Sequence, residues 1–349
     1  MENNSKNLPL SSKIISIAVL IFFACLTVGC GAQKEVLFSG KTMGTSYHIT
    51  IVAGYFNNQK DLKVKIDKRL EDINKSMSTY RKDSEISRFN NLQNTGEKFY
   101  VSDDFWQVMT VAQKIYQLTG GAWDGTVKPL VNLWGFGSTK NKYTIPDKSE
   151  IQAHLADIGF NHIEVAAERC LIKRKEGVSV DLASIAKGYA VDQVAALIRK
   201  SGIDNFLVEI GGEVFASGTR KDGKPWRIGI NQPKKNAPVD QVYKVVNLQD
   251  KAFATSGDYR IFFEIDGRRF AHIIDPRNGY PAASGVVSAS IVADNCTFAD
   301  GLATALVVLG PEKGLELVNR LTGVECLIIV QKQDGTLIDY SSKNFKAYL

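Results

Sequence analysis

Residues 299–310 read ADGLATALVVLG, and the rest of the chain is organised around this stretch. Its apolar spacing predicts a helix on which Asp300 and Thr304, four residues apart, share one face. Leucines fall on the other side, where a core would lie, at Leu302, Leu306 and Leu309. Two oxygen-bearing side chains on a buried helix suit a hard cation, and Mg²⁺ takes oxygen ligands and often adds substrate phosphates. The competing interpretation is structural, with an Asp in the first helical turn and a mid-helix Thr bonded to its own backbone.

The composition is that of an ordinary globular protein. The chain has 349 residues, of which 44% are hydrophobic and 23% are charged, enough for one large domain or two small ones. The formal net charge of +6 is spread along the chain without a run of Lys or Arg, so binding to nucleic acid is not expected. Four histidines and five cysteines show no CxxC or HExxH spacing, so a zinc site is not expected either.

The first thirty residues have the pattern of a secretory signal. Lys6 and Lys13 precede an apolar run at residues 14–26, which is short for a membrane span. The run leads into LTVGC, which ends at Cys30 and resembles a bacterial lipobox, in which the cysteine is lipid-modified and becomes the new N-terminus. The alternative is a signal anchor that stays uncut.

This segment sets the predicted domain organisation and location. We expect a lipoprotein signal peptide at residues 1–29, a lipidated tether at 30–36 and one domain at 37–349. The protein is then expected in the bacterial cell envelope, lipid-anchored on the periplasmic or extracytoplasmic face of the membrane. The other cysteines of the mature chain have apolar neighbours and are expected to be small core residues. They are Cys170, Cys296 and Cys326.

Strand patterns occur in runs with helices between them, which predicts an α+β fold with mostly antiparallel sheet. A strand–turn–strand pattern surrounds residues 42–45, and the clearest hairpin spans residues 259–274. Helices are predicted at residues 61–77 and 103–118, the second with Ser102 as its N-cap.

Residues 178–203 form a second dense region. A predicted strand at 178–180 runs into DLASIAKG, residues 181–188, and a helix then continues to Lys200. A strand-to-helix junction points backbone N–H groups and the positive helix end at one place, which suits a phosphate. Lys187 is unusual in a first turn, because cations are disfavoured at a helix N-terminus. An anionic ligand would explain it, and a lysine that points to solvent is the alternative.

A third region, residues 120–137, is rich in glycine and carries Trp123 and Trp134. Glycine lets the backbone approach a ligand closely, and tryptophan offers a flat stacking face. A tight loop with a structural tryptophan would have the same pattern, so both interpretations stay open.

Three of these stretches form a specific combination: DLASIAKGYAVD at 181–192, HIIDPRNG at 272–279 and ADGLATALVVLG at 299–310. Together they resemble the ApbE family of FAD:protein FMN transferases. The segments MGT, STY and GAWD, which begin at Met43, Ser78 and Gly121, also occur in the family's order. The resemblance runs from about Phe38 to the end. It implies an ApbE-like (T-fold-like) architecture of mostly antiparallel sheets with packed helices.

The resemblance also implies roles for individual residues. Positions that match the family's FAD site are Met43, Tyr80, Ala122, Trp123, Asp124, Asp181, Lys187 and Ile274. Positions that match its metal ligands are Ser184, Asp300 and Thr304. His272 matches the histidine proposed in the family to assist the chemistry, and His272, Asp300 and Lys187 are the predicted catalytic residues. The DLAS segment departs from the pattern, since many members have a glycine pair after Asp-Leu. Ser184 could therefore ligate through its hydroxyl or its main-chain oxygen.

The implied reaction is Mg²⁺-dependent transfer of the FMN moiety of FAD to a threonine of a partner protein, with release of AMP. Phosphoryl transfer asks a protein mainly for positioning and charge stabilisation. His272 could accept the threonine proton, since an unperturbed histidine has a pKa of about 6.5. Asp275 and Asp181 are alternative bases.

Family precedent points to acceptors among flavinylated subunits of membrane redox pumps, such as the sodium-translocating NADH:quinone reductase (Nqr) and Rnf complexes. Two rival functions remain. In the first, water replaces threonine, and the enzyme is an FAD pyrophosphatase that releases FMN and AMP. The second is a non-enzymatic flavin-binding lipoprotein, against which the predicted metal ligands argue.

Overall fold

A computed structural model describes residues 34–54, 59–137, 143–234, 237–238, 241–259 and 261–349. The predicted signal peptide and Cys30 lie outside these residues. Within the described ranges, no helix combines the length and apolar character needed to cross a membrane.

The strands are β1 (Lys34–Thr42), β2 (Thr45–Ala53), β3 (Lys98–Tyr100), β4 (Ile163–Ala166), β5 (Cys170–Lys173), β6 (Asn205–Ile210), β7 (Glu213–Ser217), β8 (Trp226–Asn231), β9 (Val242–Leu248), β10 (Lys251–Gly257), β11 (Phe262–Ile265), β12 (Arg268–Ala271), β13 (Val286–Ala293), β14 (Glu325–Gln331) and β15 (Leu337–Ser341). The helices are α1 (Gln59–Met77), α2 (Glu85–Asn90), α3 (Asp103–Leu118), α4 (Lys128–Leu133), α5 (Lys148–Ala156), α6 (Ala186–Lys200) and α7 (Cys296–Val318). Short 3₁₀ turns lie at Phe160–His162 and Phe345–Tyr348.

One antiparallel sheet organises the molecule, with its eight strands in the order β1-β2-β6-β7-β10-β13-β14-β15. Successive side chains of a strand point to opposite faces. On β13, Ile291 therefore packs into the core that contains α6 and α7, whereas Val292 packs into a second core with the β8–β9 hairpin. Both faces of the sheet are covered, and the predicted α+β fold with mostly antiparallel sheet is confirmed.

The helix predicted at residues 299–310 is confirmed and lies within α7. Asn295 caps its N-terminus by accepting a hydrogen bond from the Phe298 N–H at 2.9 Å. Gly310 breaks the helical geometry with φ 78° and ψ 175°, and Pro311 begins the continuation. The N-terminal part of α7 is inside the protein, because every residue from Cys296 to Ala303 is buried, with Asp300 only 3% exposed.

Two local predictions are wrong. Residues 178–180 are not a strand, since the N–H and the carbonyl of Val180 bond to the side-chain amide of Asn90, at 2.7 and 2.8 Å. A side chain thus takes the place of a neighbouring strand. In addition, α4 lies inside the glycine-rich stretch 120–137, where no helix was predicted. Its first turn contains Pro129, which is favourable there because that turn has N–H groups without helical partners.

Two other local predictions are confirmed. Ser102 caps α3, with its hydroxyl accepting from the Phe105 N–H at 3.3 Å. The hairpin predicted at 259–274 is formed by β11 and β12, with strands shorter than expected. Its turn residues Asp266 and Gly267 have φ values of 50° and 71°.

Candidate active site

Helices α6 and α7 approach each other at Gly188. A Cβ atom on Gly188 would lie 2.3 Å from the carbonyl oxygen of Cys296, so no larger residue fits between the two backbones. The Gly188 N–H donates to Asp300 Oδ2 at 3.0 Å. This N–H is in the first turn of α6, where N–H groups have no partner within the helix. The close approach therefore brings Asp300 of α7 to the N-terminus of α6.

Lys187, Glu213 and Asp300 form a buried charged cluster. Lys187 Nζ lies 2.6 Å from Glu213 Oε1 and 4.0 Å from Asp300 Oδ1. The two carboxylate side chains are each 4% exposed, whereas the Lys187 side chain is 27% exposed. Lys187 thus faces two carboxylates instead of pointing freely into solvent, and it is the member of this charged cluster that opens to the outside.

Glu213 enters the charged cluster from the turn between β6 and β7. Gly211 and Gly212, with φ values of 64° and 105°, turn the chain immediately before it. The Lys187 side chain crosses this turn, since a Cβ on Gly211 would lie 3.2 Å from Lys187 Cδ. Glu209 fixes the turn, because its Oε1 accepts from the Gly212 N–H at 2.7 Å. The path of Lys187 toward Glu213 is therefore set by the turn.

One ammonium and two carboxylates leave the charged cluster with one uncompensated negative charge when all three are ionised. Glu213 Oε2 is buried and has no hydrogen-bond partner among the described residues. Burial raises the pKa of Glu213 and of Asp300, because loss of water disfavours a charged carboxylate. Burial alone would lower the pKa of Lys187, but the carboxylates of Asp300 and Glu213 raise it. An added cation would balance this site.

The other predicted metal ligands contribute oxygen atoms. Thr304 Oγ1 lies 2.8 Å from Ser256 Oγ of β10, and Ser184 Oγ accepts from the Trp123 Nε1–H at 3.0 Å. These contacts do not match the structural alternative, in which Asp300 lies in the first helical turn and Thr304 bonds to its own backbone. Asp300 lies beyond the first turn of α7 and bonds to another helix, while the Thr304 hydroxyl meets a strand residue.

The donor set fits Mg²⁺ in kind, because carboxylate and hydroxyl oxygens are the hard ligands that this ion takes. The excess negative charge, to which the unpartnered carboxylate of Glu213 contributes, is the observation that a nearby cation would balance. No group of three or more His, Cys, Asp or Glu side chains in the described part of the chain is arranged as a metal site. A Mg²⁺ site here would therefore depend on Asp300 together with hydroxyl, main-chain and phosphate oxygens.

His272 follows directly after β12. Its backbone N–H donates to the Ile261 carbonyl at 3.1 Å, and its Nδ1 lies 3.2 Å from the same oxygen. A carbonyl only accepts, so Nδ1 carries the proton and Nε2 keeps the lone pair. Burial lowers the pKa of His272, although the bond to Ile261 opposes this. The neutral imidazole is favoured near neutral pH, as a general base requires.

The two alternative bases already have partners. Asp275 accepts two bonds from the Arg277 guanidinium, at 2.8 and 2.7 Å. Asp181 accepts from the Ala183 N–H at 2.9 Å and lies 3.2 Å from Lys128 Nζ. Each carboxylate is held by a cation, so the geometry favours His272 as the proton acceptor.

Two of the predicted flavin positions differ in exposure, since Tyr80 lies at the surface and Met43 is partly buried against the main core. Tyr80 is 88% exposed, so its ring face is available for stacking. Met43 occupies the turn between β1 and β2 with φ 48°. A cavity of about 630 Å³ has Thr79, the residue before Tyr80, and Lys128, the partner of Asp181, in its lining. This volume is in the usual range for ligand pockets.

Four other predicted flavin positions are buried, namely Ala122, Trp123, Asp124 and Ile274, whereas Asp181 and Lys187 are partly exposed. The Asp124 carboxylate accepts from the Thr126 N–H and hydroxyl and from the Phe160 N–H, at 2.8, 2.6 and 3.1 Å. Asp124 therefore uses its carboxylate to build its own loop.

Comparison with known proteins gives the family. A sequence profile described as the ApbE family matches residues 43–328, which is more than half of the chain. The chain belongs to the ApbE family. A Vibrio cholerae relative named FAD:protein FMN transferase is 43% identical over 336 residues, covering 95% of this chain and 98% of the relative. An Escherichia coli K12 relative of the same name is 35% identical over 352 residues, covering 97% of each.

Solved ApbE structures share the fold. The flavin transferase ApbE from Vibrio cholerae has a TM-score of 0.82 at 42% identity, covering 91% of this chain and 100% of that one. The apo flavinyl transferase ApbE from Pseudomonas stutzeri has a TM-score of 0.81 at 36% identity, covering 92% and 98%. The predicted ApbE-like fold and the predicted family are thereby confirmed.

In this ApbE-family chain, the predicted catalytic residues fall into two groups. Lys187 and Asp300 meet at the crossing of α6 and α7. His272 lies beside Ile261 and 6.4 Å, ring to ring, from Phe136. No hydrogen bond or ion pair between described residues joins the two groups, so a ligand would have to bridge them.

Sequence reasoning missed three residues of the site. The sequence places Glu213 in a glycine-rich turn at 210–213 and Ser256 directly after a predicted strand at 252–255, and Gly188 is one glycine in a motif. The local sequence signal for Glu213 is a carboxylate at the start of the segment EVFAS. In the structure this segment is β7, and every residue of it is buried. Their roles depend on contacts between distant segments, which spacing along the chain does not reveal.

Proposed function

We propose that this chain transfers the FMN moiety of FAD to a threonine hydroxyl of an acceptor protein, with Mg²⁺ and with release of AMP. Membership of the ApbE family and relatives named FAD:protein FMN transferase over 95% or more of the chain support this enzyme class. The single structural observation that carries the proposal is the charged cluster of Lys187, Glu213 and Asp300 at the N-terminus of α6.

Asp300, Thr304 and Ser184 are the residues that would hold Mg²⁺. When bound, Mg²⁺ offsets the negative charge of the FAD diphosphate and of the leaving AMP. Lys187 supplies a positive charge next to the same diphosphate. The first turn of α6 offers N–H groups and the positive end of the helix dipole, which bind phosphate oxygens. Together these residues fix the attacked phosphorus in place.

The reaction exchanges one oxygen on phosphorus for another. The threonine Oγ attacks the phosphorus on the riboflavin side of the diphosphate and forms a P–O bond. The bond from that phosphorus to the bridging oxygen breaks, and this oxygen leaves with AMP. The hydroxyl proton moves to Nε2 of His272, whose Nδ1 is held by Ile261.

The partner and the location are also proposals. Acceptors are proposed among flavinylated subunits of membrane redox pumps of the Nqr and Rnf type. Residues 1–29 are proposed as a lipoprotein signal, with Cys30 as the lipid attachment point and residues 37–349 as the transferase domain in the cell envelope. The apolar run followed by LTVGC supports the lipid anchor. An anchored enzyme would be held near membrane-bound acceptors.

The test is to incubate the purified protein with FAD and Mg²⁺, with and without a threonine-bearing acceptor peptide. A mass gain of FMN on the peptide, with release of AMP, is expected. Release of FMN and AMP without any peptide modification would identify a pyrophosphatase. Intact FAD that stays bound would identify a flavin-binding protein, and either result would overturn the transferase proposal.

A further inference from the structure

Glu213 is the buried carboxylate of the charged cluster that neither the family motifs nor the metal prediction includes. Its position raises a specific question about Lys187. The ammonium lies 2.6 Å from Glu213 Oε1 but 4.0 Å from Asp300 Oδ1. Two buried carboxyl groups thus compete for one cation, and the shorter distance is to the one that is not a predicted metal ligand.

We propose that Glu213 is a positioning residue that holds Lys187 away from Asp300, so that the Asp300 carboxylate stays available to bind the metal. The inference rests on the proposed function, because it assigns Asp300 to Mg²⁺ and Lys187 to the diphosphate. Without a second carboxylate, the ammonium would pair with Asp300 and compete with Mg²⁺ for the same oxygen.

The local structure leaves Lys187 few other positions. Its side chain passes over the turn at Gly211, where an added Cβ would lie 3.2 Å from Lys187 Cδ. This turn is held on one side by Ser46, whose carbonyl accepts from the Gly211 N–H at 3.1 Å. On the other side Glu209 accepts from the Gly212 N–H at 2.7 Å. The fixed turn directs the ammonium between the two carboxylates.

The burial of Glu213 strengthens the argument. Its side chain is 4% exposed, and its Oε2 has no hydrogen-bond partner among the described residues. A buried carboxylate needs compensating partners, and here Lys187 is the cation that supplies one. A competing explanation is that Oε2 is itself a metal ligand. The two explanations differ in whether the effect of Glu213 depends on Lys187.

A double-mutant cycle separates them. Mg²⁺ affinity is measured by calorimetry on the full chain in detergent, saturated with FAD to supply the phosphate oxygens, for the wild type, Glu213→Gln, Lys187→Met and the double variant. We expect Glu213→Gln alone to weaken Mg²⁺ binding by roughly tenfold, as loss of residues around metal ligands does. Lys187→Met should bind Mg²⁺ at least as tightly as the wild type. In the Lys187→Met background, Glu213→Gln should have no further effect.

Two control variants test whether the change in Mg²⁺ affinity is specific to the charge of Glu213. Glu213→Asp retains the negative charge and should recover most of the Mg²⁺ affinity, even if Glu213→Gln folds poorly. Glu209→Gln makes the same chemical change on the same turn, keeps an acceptor for Gly212 and should leave Mg²⁺ affinity unchanged. Thermal unfolding without metal shows whether each variant is folded.

Several outcomes overturn the proposal. An equal loss of Mg²⁺ affinity from Glu213→Gln in both backgrounds would make Glu213 a direct ligand. No loss in the wild-type background, or no Mg²⁺ binding by the wild type at all, would leave Glu213 without the assigned role. FMN transfer by the wild type, assayed in parallel, tests the proposed function separately, so the two failures are distinguishable.

Discussion

The two carboxylate oxygens of Asp300 have different surroundings. Oδ2 accepts from the Gly188 N–H at 3.0 Å and so joins α6 to α7, whereas Oδ1 faces Lys187 at 4.0 Å. The first contact is structural and needs only an acceptor. The second depends on negative charge. A substitution that keeps an acceptor oxygen but removes the charge therefore separates folding from chemistry.

For Asp300→Asn, we expect FMN transfer to fall by about a hundredfold or more, because a bound metal ion contributes several kcal/mol to the transition state. The thermal midpoint should change little, since the amide oxygen can still accept from Gly188. The measurement is the mass of an acceptor peptide over time. A variant that transfers FMN at the normal rate would show that Asp300 does not hold the metal.

His272 gives a prediction about pH. Burial lowers its pKa below the usual 6.5, and the base works only when the imidazole is neutral. The transfer rate should therefore rise with pH through a value below 6.5 and then level off. His272→Ala should bind FAD normally, lose this rise and be slower by about 10²–10⁴-fold. Unchanged turnover of the variant would remove His272 from the mechanism.

Lys173 provides a contrast, since it is a buried lysine with a structural role. It is 1% exposed, and its ammonium donates to the carbonyls of Asn90 and Leu92 at 3.0 and 3.2 Å. Lys173→Met leaves both carbonyls without this donor, which should lower the free energy of unfolding by about 1–3 kcal/mol. Denaturant unfolding measures this loss. Mg²⁺ affinity should not change, and an unaltered unfolding free energy would contradict the assignment.

At the scale of elements, the crossing of α6 and α7 determines the site geometry. The helices touch backbone to backbone at Gly188, where an added Cβ would lie 2.3 Å from Cys296 O and 2.8 Å from Asp300 Cβ. Neither neighbour can move without a shift of α7 itself. The positions of the proposed metal ligands on α7 and of the proposed phosphate-binding end of α6 are therefore set by one contact.

We expect Gly188→Ala to separate the helices and to cost about 1–3 kcal/mol in unfolding free energy, as overpacking does. Because Asp300 would move with α7, Mg²⁺ affinity should fall as well. Gly54→Ala is the matched control, since a Cβ on Gly54 would meet nothing within 4 Å. Denaturant unfolding and calorimetry measure both quantities. Equal stability of the two variants would show that the crossing tolerates a larger residue.

The elements also show what the sequence could predict. Helices with strong periodicity and clear caps were predictable, as α3 with Ser102 shows, because these signals are local. The strand predicted at residues 178–180 fails because its apolar residues are buried without a strand partner, and Asn90 satisfies Val180 instead. The short helix α4 lies among glycines and has no long apolar period, so the pattern could not reveal it.

At the scale of the whole molecule, the sheet brings distant residues together. Lys187 precedes the sheet strands β6 and β7, Glu213 begins β7, and Asp300 follows β13. Covering one sheet face with α6 and α7 places all three at one crossing. The family motifs identified Lys187 and Asp300, but only the packed structure shows that Glu213 is the carboxylate next to Lys187. Sequence motifs do not reveal a residue, such as Glu213, whose proposed role is to position another side chain.

The proposed organisation of the whole chain separates a catalytic part from a lipid anchor. The proposed site residues follow β1, which begins at Lys34, whereas the proposed lipid site is Cys30. Cys30→Ala should therefore abolish incorporation of a radiolabelled fatty acid and release the protein from the membrane fraction. Transfer of FMN to a soluble acceptor peptide should stay at the wild-type rate, because the charged cluster and His272 are untouched.

Transfer to a membrane-bound acceptor should slow in the Cys30→Ala variant, since the proposed anchor raises the local concentration of enzyme at the membrane. A Cys30→Ala protein that still sediments with membranes and still takes up the label would refute the lipid anchor without affecting the proposed chemistry.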